Sequence, residues 1–320
     1  MDLSVIIVCY KGWERLIRCL EALESFSGKR FSMEVIVVDN HSMDGAISRI
    51  EERFRKFRFL HNRVNGGYAN GCNLGASDSA GEILLFLNPD TVASEAGIEK
   101  LLYAARSDPS HYILSCRQVR ENGKESKSTG SFPALWNLTG FLKLIFFWKN
   151  NKNSGSAHIN FPDWVSGSVL MIRKEIFDIL KGFDEDFWMY SEDVDLCCRA
   201  KNLGGEIVCH REIVVEHNHG GSSRISLNTT SVTKCEVLIS RHIYIQKHKA
   251  GLERTFIQAF TIINNVLTGI VTGLVGAVLF FIPELLVKLP VFLKLISYYT
   301  GSLIRQSWIS PRSVNFKRIN

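Results

Sequence analysis

The 320-residue chain has no CxxC pair, no GxGxxG loop, no charged residue between positions 255 and 283, and almost no acid in its last quarter. Each absence excludes something. The eight cysteines, at 9, 19, 72, 116, 197, 198, 209 and 235, several of them inside apolar runs, read as small buried hydrophobes in a reducing compartment rather than as a disulfide framework. Without GxGxxG, a dinucleotide-binding fold is disfavoured. Residues 241–320 hold ten Lys/Arg against Glu253 and Glu284 alone, which leaves the first 240 residues slightly acidic although the whole chain carries +6. The basic character therefore belongs to the tail. That argues against nucleic acid as a partner and for a surface of anionic lipid. The opening MDLSVIIVCYKG has an acid at position 2 and only a short apolar run before Lys11. It reads as a first strand rather than a signal peptide, and places the body of the chain in the cytosol.

With 46% hydrophobic and 22% charged residues the chain can bury one large core or two smaller ones. Residues 3–9, 34–38, 57–60 and 83–87 are short runs of Val, Ile, Leu and Phe that predict buried strands. Between them Leu16, Leu20 and Leu23 mark one amphipathic helix and Ile47, Ile50 and Phe54 another. This alternation predicts an α/β fold with a mainly parallel sheet covered on both faces. Ligands of such sheets bind at the carboxyl ends of the strands, where this chain places Tyr10 and Lys11, Asp39 and Asn40, residues 65–75, and Asn88-Pro89-Asp90. Residues 119–163 have no clear period and read as a variable excursion containing an apolar patch at 138–148. Residues 164–173 predict a further strand, and 206–216 one or two more. The uncharged run at 255–283 exceeds the roughly 20 residues that cross a bilayer. Its glycines at 269, 273 and 276 suit close helix packing. A second apolar run, 285–304, is interrupted by Lys288, Pro290 and Lys294. The tail is thus a hairpin with basic flanks, or one spanning helix with an interfacial one, or a buried soluble pair.

The richest segment is GFDEDFWMYSEDVDLCCR at 182–199, with six carboxylates around aromatic rings just before a predicted helix. Ser191 is placed to cap that helix, which puts Glu192 and Asp193 in its first turn, where a carboxylate can hold a hydroxyl group and remove its proton. Trp188 and Tyr190 lie beside them in the sequence. The plainer alternative is an acidic surface loop with the usual charge preference of a helix start. Asp39, after a strand, either caps the following turn or accepts hydrogen bonds from a base or ribose. In NGGYANGCNLG, Asn65, Asn70 and Asn73 are hydrogen-bonding groups, while the glycines allow close approach by ligand or by backbone. Asp90 offers one carboxylate at the sheet's ligand edge, which together with diphosphate oxygens suits Mg²⁺ or Mn²⁺; His217 or His219 can add a nitrogen. A zinc site from Cys209, His210, His217 and His219 fits none of the common spacings.

Taken in order, VIIVCY, VVDNHSMDG, NGGYANGCNLG, FLNPD, GFDEDFWMYSEDVDLCCR and VVEHNHGGSS resemble the family 2 glycosyltransferases, in particular their bacterial rhamnosyltransferase-like branch, over residues 3–225. The resemblance implies a GT-A-type fold over residues 1–240, a nucleotide-sugar donor, a divalent metal (Mg²⁺ or Mn²⁺) and inversion at the anomeric carbon. It implies that Tyr10 and Asp39 contact base and ribose, with Asn65, Gly67, Asn73 and Asn88 also at the donor. Asp90 would bind the metal-diphosphate with His217 as a second ligand. Asp193 would be the general base, with Trp188, Tyr190 and Glu192 at the acceptor. The family's acidic triplet usually starts with Asp where this chain has Asn88, so metal affinity without donor should be weak. The branch favours dTDP-rhamnose as donor, with a UDP-sugar as the alternative. The expected acceptor is a glycan or lipid-linked glycan of cell-surface polysaccharide synthesis. The basic, apolar tail, 241–320, would hold the enzyme to the cytoplasmic side of the inner membrane. Competing readings are a catalytically inactive membrane scaffold and a nucleotidyltransferase on a similar sheet.

Overall fold

The computed structural model describes residues 1–134, 158–218, 226–279 and 282–316. The apolar patch at 138–148, His219 and the terminal Lys317 and Arg318 lie outside the described residues. The chain divides into two compact units, one of residues 1–132, 157–185 and 192–222, the other of 133–156, 186–191 and 223–320.

In the first unit the alternation expected from sequence is realised as β1 (Leu3–Cys9), α1 (Trp13–Glu24), β2 (Met33–Asp39), α2 (Ala46–Arg53), β3 (Arg58–His61), α3 (Gly67–Ser77) and β4 (Ile83–Leu87). These strands run parallel in the order β3-β2-β1-β4. β1 is buried along its whole length and β4 likewise, the mark of a strand covered on both faces. Side chains of β1 at Leu3, Val5 and Ile7 pack with α1 and α2, and those at Ile6 and Val8 pack with α3 on the other face. α3 lies close on the sheet because it presents only small residues there, Ala69, Cys72 and Ala76 beside Gly71 and Gly75. A Cβ at Gly71 would stand 2.6 Å from Val8 Cγ1, and one at Gly75 2.6 Å from Ile6 Cγ2. Close packing thus accounts for two of the glycines in NGGYANGCNLG.

After β5 (Thr91–Val92) and α4 (Glu95–Ser107), the sheet continues with β6 (His111–Val119). The short strands β7 (Thr129–Gly130), β8 (Ile159–Asn160) and β9 (Trp164–Val165) follow, and β7 pairs with β9 apart from the main sheet. β10 (Val169–Arg173) inserts antiparallel between β4 and β6, so the sheet is mixed rather than wholly parallel. The strand expected over 164–173 is broken at Ser166-Gly167-Ser168, and that break turns out to organise the site. α5 (Lys174–Ile179) and α6 (Glu192–Asn202) come next, then β11 (Glu206–His217), which pairs parallel with β6 through a register shift between His210 and Val214.

The second unit holds α7 (Leu227–His248), α8 (Gly251–Val278), α9 (Pro283–Leu286) and α10 (Lys288–Arg305). α8 is inverted relative to a helix of a soluble core. Gln258, Thr261 and Asn265 are buried, while Phe256, Ile263, Leu267, Val271, Leu274 and Val278 are each more than half exposed. The buried amides are satisfied: Gln258 Nε2 donates to the His242 carbonyl at 2.9 Å, and Asn265 Nδ2 donates to the Tyr299 hydroxyl at 2.8 Å. The glycines pack as expected, since a Cβ at Gly269 would run into the Phe292 ring and one at Gly276 into the Leu285 carbonyl oxygen.

Candidate active site

The carboxyl ends of β1, β2 and β4 form one edge, because β1 pairs in register with both neighbours and Cys9 lies opposite Asp39. Tyr10 is half-buried there, with the Lys11 ammonium 5.6 Å from its ring centroid. Asp39 is buried, and its Oδ1 accepts from the Ser42 amide at 3.1 Å. One oxygen therefore caps the turn, while Oδ2 faces His61 Nδ1 at 3.8 Å. A lattice of asparagines closes this corner. Asn40 Nδ2 donates to Asn65 Oδ1 at 3.2 Å and to the Gly67 carbonyl at 2.9 Å, and Asn62 Nδ2 donates to Asn40 Oδ1 at 2.9 Å. Gly67 has φ 90, a left-handed conformation that glycine takes without a Cβ penalty. Asn73 turns elsewhere: its Nδ2 donates to the Phe183 carbonyl and to Glu185 Oε1, both at 2.8 Å, and its Oδ1 accepts from the Phe183 amide at 2.9 Å. Both ends of its amide fasten the loop before the acidic segment.

The loop after β4 is held by backbone. The Asn88 amide donates to the Ser168 carbonyl at 2.9 Å, and the Asn218 amide donates to the Asp90 carbonyl at 3.0 Å. Asp90 Oδ1 is 3.2 Å from His217 Nε2, and its Oδ2 is 3.5 Å from Arg15 Nη1. His217 is buried, with Nδ1 2.7 Å from Gln118 Oε1. The same Gln118 oxygen accepts from the Ser168 hydroxyl at 2.8 Å. Among the described residues no three His, Cys, Asp or Glu side chains gather as a metal site; Asp90 and His217, the two expected to hold a cation, lie side by side.

Six carboxylates in 182–199 do not stay crowded. Glu185 takes Asn70 and Asn73, Asp186 takes Lys247 at 2.6 Å and Asn315 at 2.9 Å, and Asp195 takes Arg199 at 2.7 Å. Arg199 also donates to the Leu180 and Gly182 carbonyls, which anchors α6. Asp193, in the first turn of α6, accepts from the Gly167 amide at 2.9 Å through Oδ2 and from the Val194 amide at 2.8 Å through Oδ1. Burial nonetheless raises its pKa, against the opposing pull of those two N–H groups. Glu192 is buried, and among the described residues its Oε2 has no partner. Burial, then repulsion from Asp193, raises the Glu192 pKa well above the usual carboxylate value. Ser191 has φ 64, not the extended backbone of an N-cap, and its hydroxyl lies 3.2 Å from that of Ser240. The expected cap is replaced by Asp193 itself.

In the other unit, Trp188 is buried with the Arg312 guanidinium 5.4 Å over its ring, and Tyr190 has φ 71. The first unit brings together Asp90, His217, Asn88 and Asp193 through Ser166-Gly167-Ser168. Gly167 donates to Asp193 and accepts from the Tyr68 hydroxyl at 2.7 Å, while Ser168 reaches Asn88 and Gln118. Sequence reasoning did not single out Gln118, Tyr68, Arg15 or this turn. The available signals were a small polar triplet inside an apolar strand and a glutamine at the end of another.

The fold, with its polar strand-end edge and carboxylates on a helix start, is that of GT-A sugar transferases. A mannosyltransferase from Pyrobaculum calidifontis, solved with GDP-Man and Mn²⁺, superposes with TM-score 0.55 at 14% identity, over 96% of this chain and 88% of that one. Residues 4–162 match the model of Glycosyl transferase family 2, and the chain belongs to that family. It is 29% identical over 222 residues to an N-acetylglucosaminyl-diphospho-decaprenol L-rhamnosyltransferase of Mycobacterium tuberculosis, covering 63% of this chain and 71% of the relative. It is 26% identical over 210 residues to the rhamnosyltransferase WbbL of Escherichia coli K12, covering 62% and 77%.

Proposed function

We propose that this glycosyltransferase moves a sugar, rhamnose by preference, from a nucleoside-diphosphate donor to a glycan or lipid-linked glycan hydroxyl with inversion. The observation that carries this reading is the convergence of the Asp90 loop and Asp193 on one tripeptide, Ser166–Ser168. Donor base and ribose would lie along Tyr10, Asp39 and the Asn65–Gly67 corner, the usual strand-end position. Asp90 and His217 suit Mg²⁺ or Mn²⁺ that completes its shell with diphosphate oxygens, consistent with the Mn²⁺ complex of the mannosyltransferase neighbour. Bound there, the cation would neutralise charge as the diphosphate leaves. Asp193, which accepts from two backbone amides and whose pKa burial raises, would take the proton of the acceptor hydroxyl. One base acting in a single displacement gives inversion. Glu192 would be the hydrogen-bonding neighbour of that acceptor. Trp188 and Tyr190, just before it in the chain, would supply aromatic contacts to the acceptor sugar.

For residues 241–320 we propose attachment to the cytoplasmic face of the cell membrane. α8 is long and apolar enough to cross a bilayer, spanning about 42 Å against a hydrocarbon core of about 30 Å. Its polar side points inward and its apolar side outward, as lipid rather than water demands. The rhamnosyltransferase of M. tuberculosis is named for a decaprenol-linked substrate, which fits a lipid-linked acceptor here. A thermal-shift panel of sugar nucleotides with and without Mn²⁺, followed by analysis of the released nucleotide, tests the reading. A cation-dependent shift with dTDP-rhamnose and release of dTDP supports it. Pyrophosphate release would identify a nucleotidyltransferase, and no shift with any sugar nucleotide would favour a scaffold.

A further inference from the structure

Gln118 is 1% exposed, in the interior of the first unit, and carries no charge, yet it touches both the Ser168 turn and His217. It lies on β6 opposite Val215 of β11, so its side chain shares a face with Val215 and, two residues on, with His217. Its Oε1 receives two hydrogen bonds, from Ser168 Oγ at 2.8 Å and from His217 Nδ1 at 2.7 Å. That contact sets the plane of the imidazole ring and turns its Nε2 toward Asp90 Oδ1, 3.2 Å away.

We propose that Gln118 is a positioning residue that fixes the ring plane of His217, so that Nε2 and Asp90 present a preformed two-donor seat to a divalent cation. The proposal rests on the reading of Asp90 and His217 as the cation pair. It explains why an uncharged amide is buried here: it orients the ligand, as second partners of metal-bound histidines do. It also explains why the chain manages with Asn88 in place of an acid. A seat with one carboxylate gains from having its nitrogen donor set in advance, because less ordering remains to be done on binding. Through Ser168, the same oxygen ties this seat to the Gly167 turn that holds Asp193.

The test reads cation binding without turnover. Free Mn²⁺ is counted by electron paramagnetic resonance during titration of the full chain in the presence of a nucleoside diphosphate, with Q118L, Q118E, S168A, H217A and D90N compared with the natural sequence. Q118L should weaken Mn²⁺ binding by about 10- to 100-fold, and Q118E, which still accepts from Nδ1, should stay within a few-fold. Mn²⁺ affinity unchanged in Q118L, while H217A weakens it, overturns the role of Gln118. Affinity unchanged in both H217A and D90N instead overturns the cation pair itself. S168A removes one of the two donors to Oε1 with a smaller change of volume. It should give a several-fold loss, and it decides the matter should Q118L fail to fold.

Discussion

Glu192 and Asp193 are adjacent and both buried, yet Asp193 accepts from the Gly167 and Val194 amides while Glu192 Oε2 has no partner among the described residues, and the Glu192 pKa is raised well above its ordinary value. The sign of the linkage for Glu192 follows. Its pKa is raised on folding, so its contribution to stability is fully present below the unfolded value of 4.5 and is lost as pH rises through the folded one. Glu192→Gln keeps the shape and removes the ionisable group. It should raise Tm relative to the natural protein, more at pH 8 than at pH 5, while transfer activity stays within a few-fold. Thermal melts at the two pH values check this, and a lower Tm in the variant at pH 8 would refute the raised pKa of Glu192. Asp39 meets the turn-capping reading, with Oδ1 on the Ser42 amide, while Oδ2 stays toward His61. Asp90, Asp193 and His217 were legible in the sequence because carboxylates and histidine after strands or at a helix start are conspicuous. Gln118 was not, since its role exists only once β6 and β11 pair across about a hundred residues of chain.

β1 and β4 match their sequence-based bounds of 3–9 and 83–87 because uninterrupted apolar runs admit one placement in a doubly covered sheet. The expected strand at 164–173 was split because composition alone does not register a turn at Ser166–Ser168, whose hydrogen bonds go to Asp193, Gln118 and Asn88 rather than along a ladder. α3 illustrates the opposite case. Its glycines were open to a ligand-approach reading and a packing reading, and Gly71 and Gly75 serve packing. Gly75→Ala would set a methyl 2.6 Å from Ile6 Cγ2 and 3.2 Å from Val38 Cγ2, so α3 has to lift from β1 and β2. The overpacking should cost about 1–3 kcal/mol in chemical denaturation. Because α3 carries Asn70 and Asn73, which hold Glu185, donor affinity should fall with it. Denaturation midpoints equal to those of the natural protein would show that the helix is not so tightly seated.

Each compact unit carries its own logic, the first an apolar interior with polar strand ends, the second a long helix, α8, that buries Gln258, Thr261 and Asn265 and leaves Leu267, Val271 and Leu274 exposed. The uncharged run at 255–283 foretold a long helix, and α8 adds what the sequence left open: which side of it faces inward. If lipid covers the outward side, the full chain should sediment with vesicles containing anionic lipid. L267E with V271E, both on the exposed side, should release it into the supernatant while leaving the buried Gln258 and Asn265 bonds intact. Vesicle binding that survives both charges would assign the apolar side to another occupant. The proposed transfer depends on Asp193 taking a proton while Asp90 serves the cation. Transfer and Mn²⁺-dependent nucleotide binding should therefore be measured side by side in Asp193→Asn and Asp90→Asn. Asp193→Asn should bind nucleotide and Mn²⁺ as before and lose transfer by about 100-fold or more, whereas Asp90→Asn should lose both. Transfer at the natural rate in Asp193→Asn would contradict this division of roles.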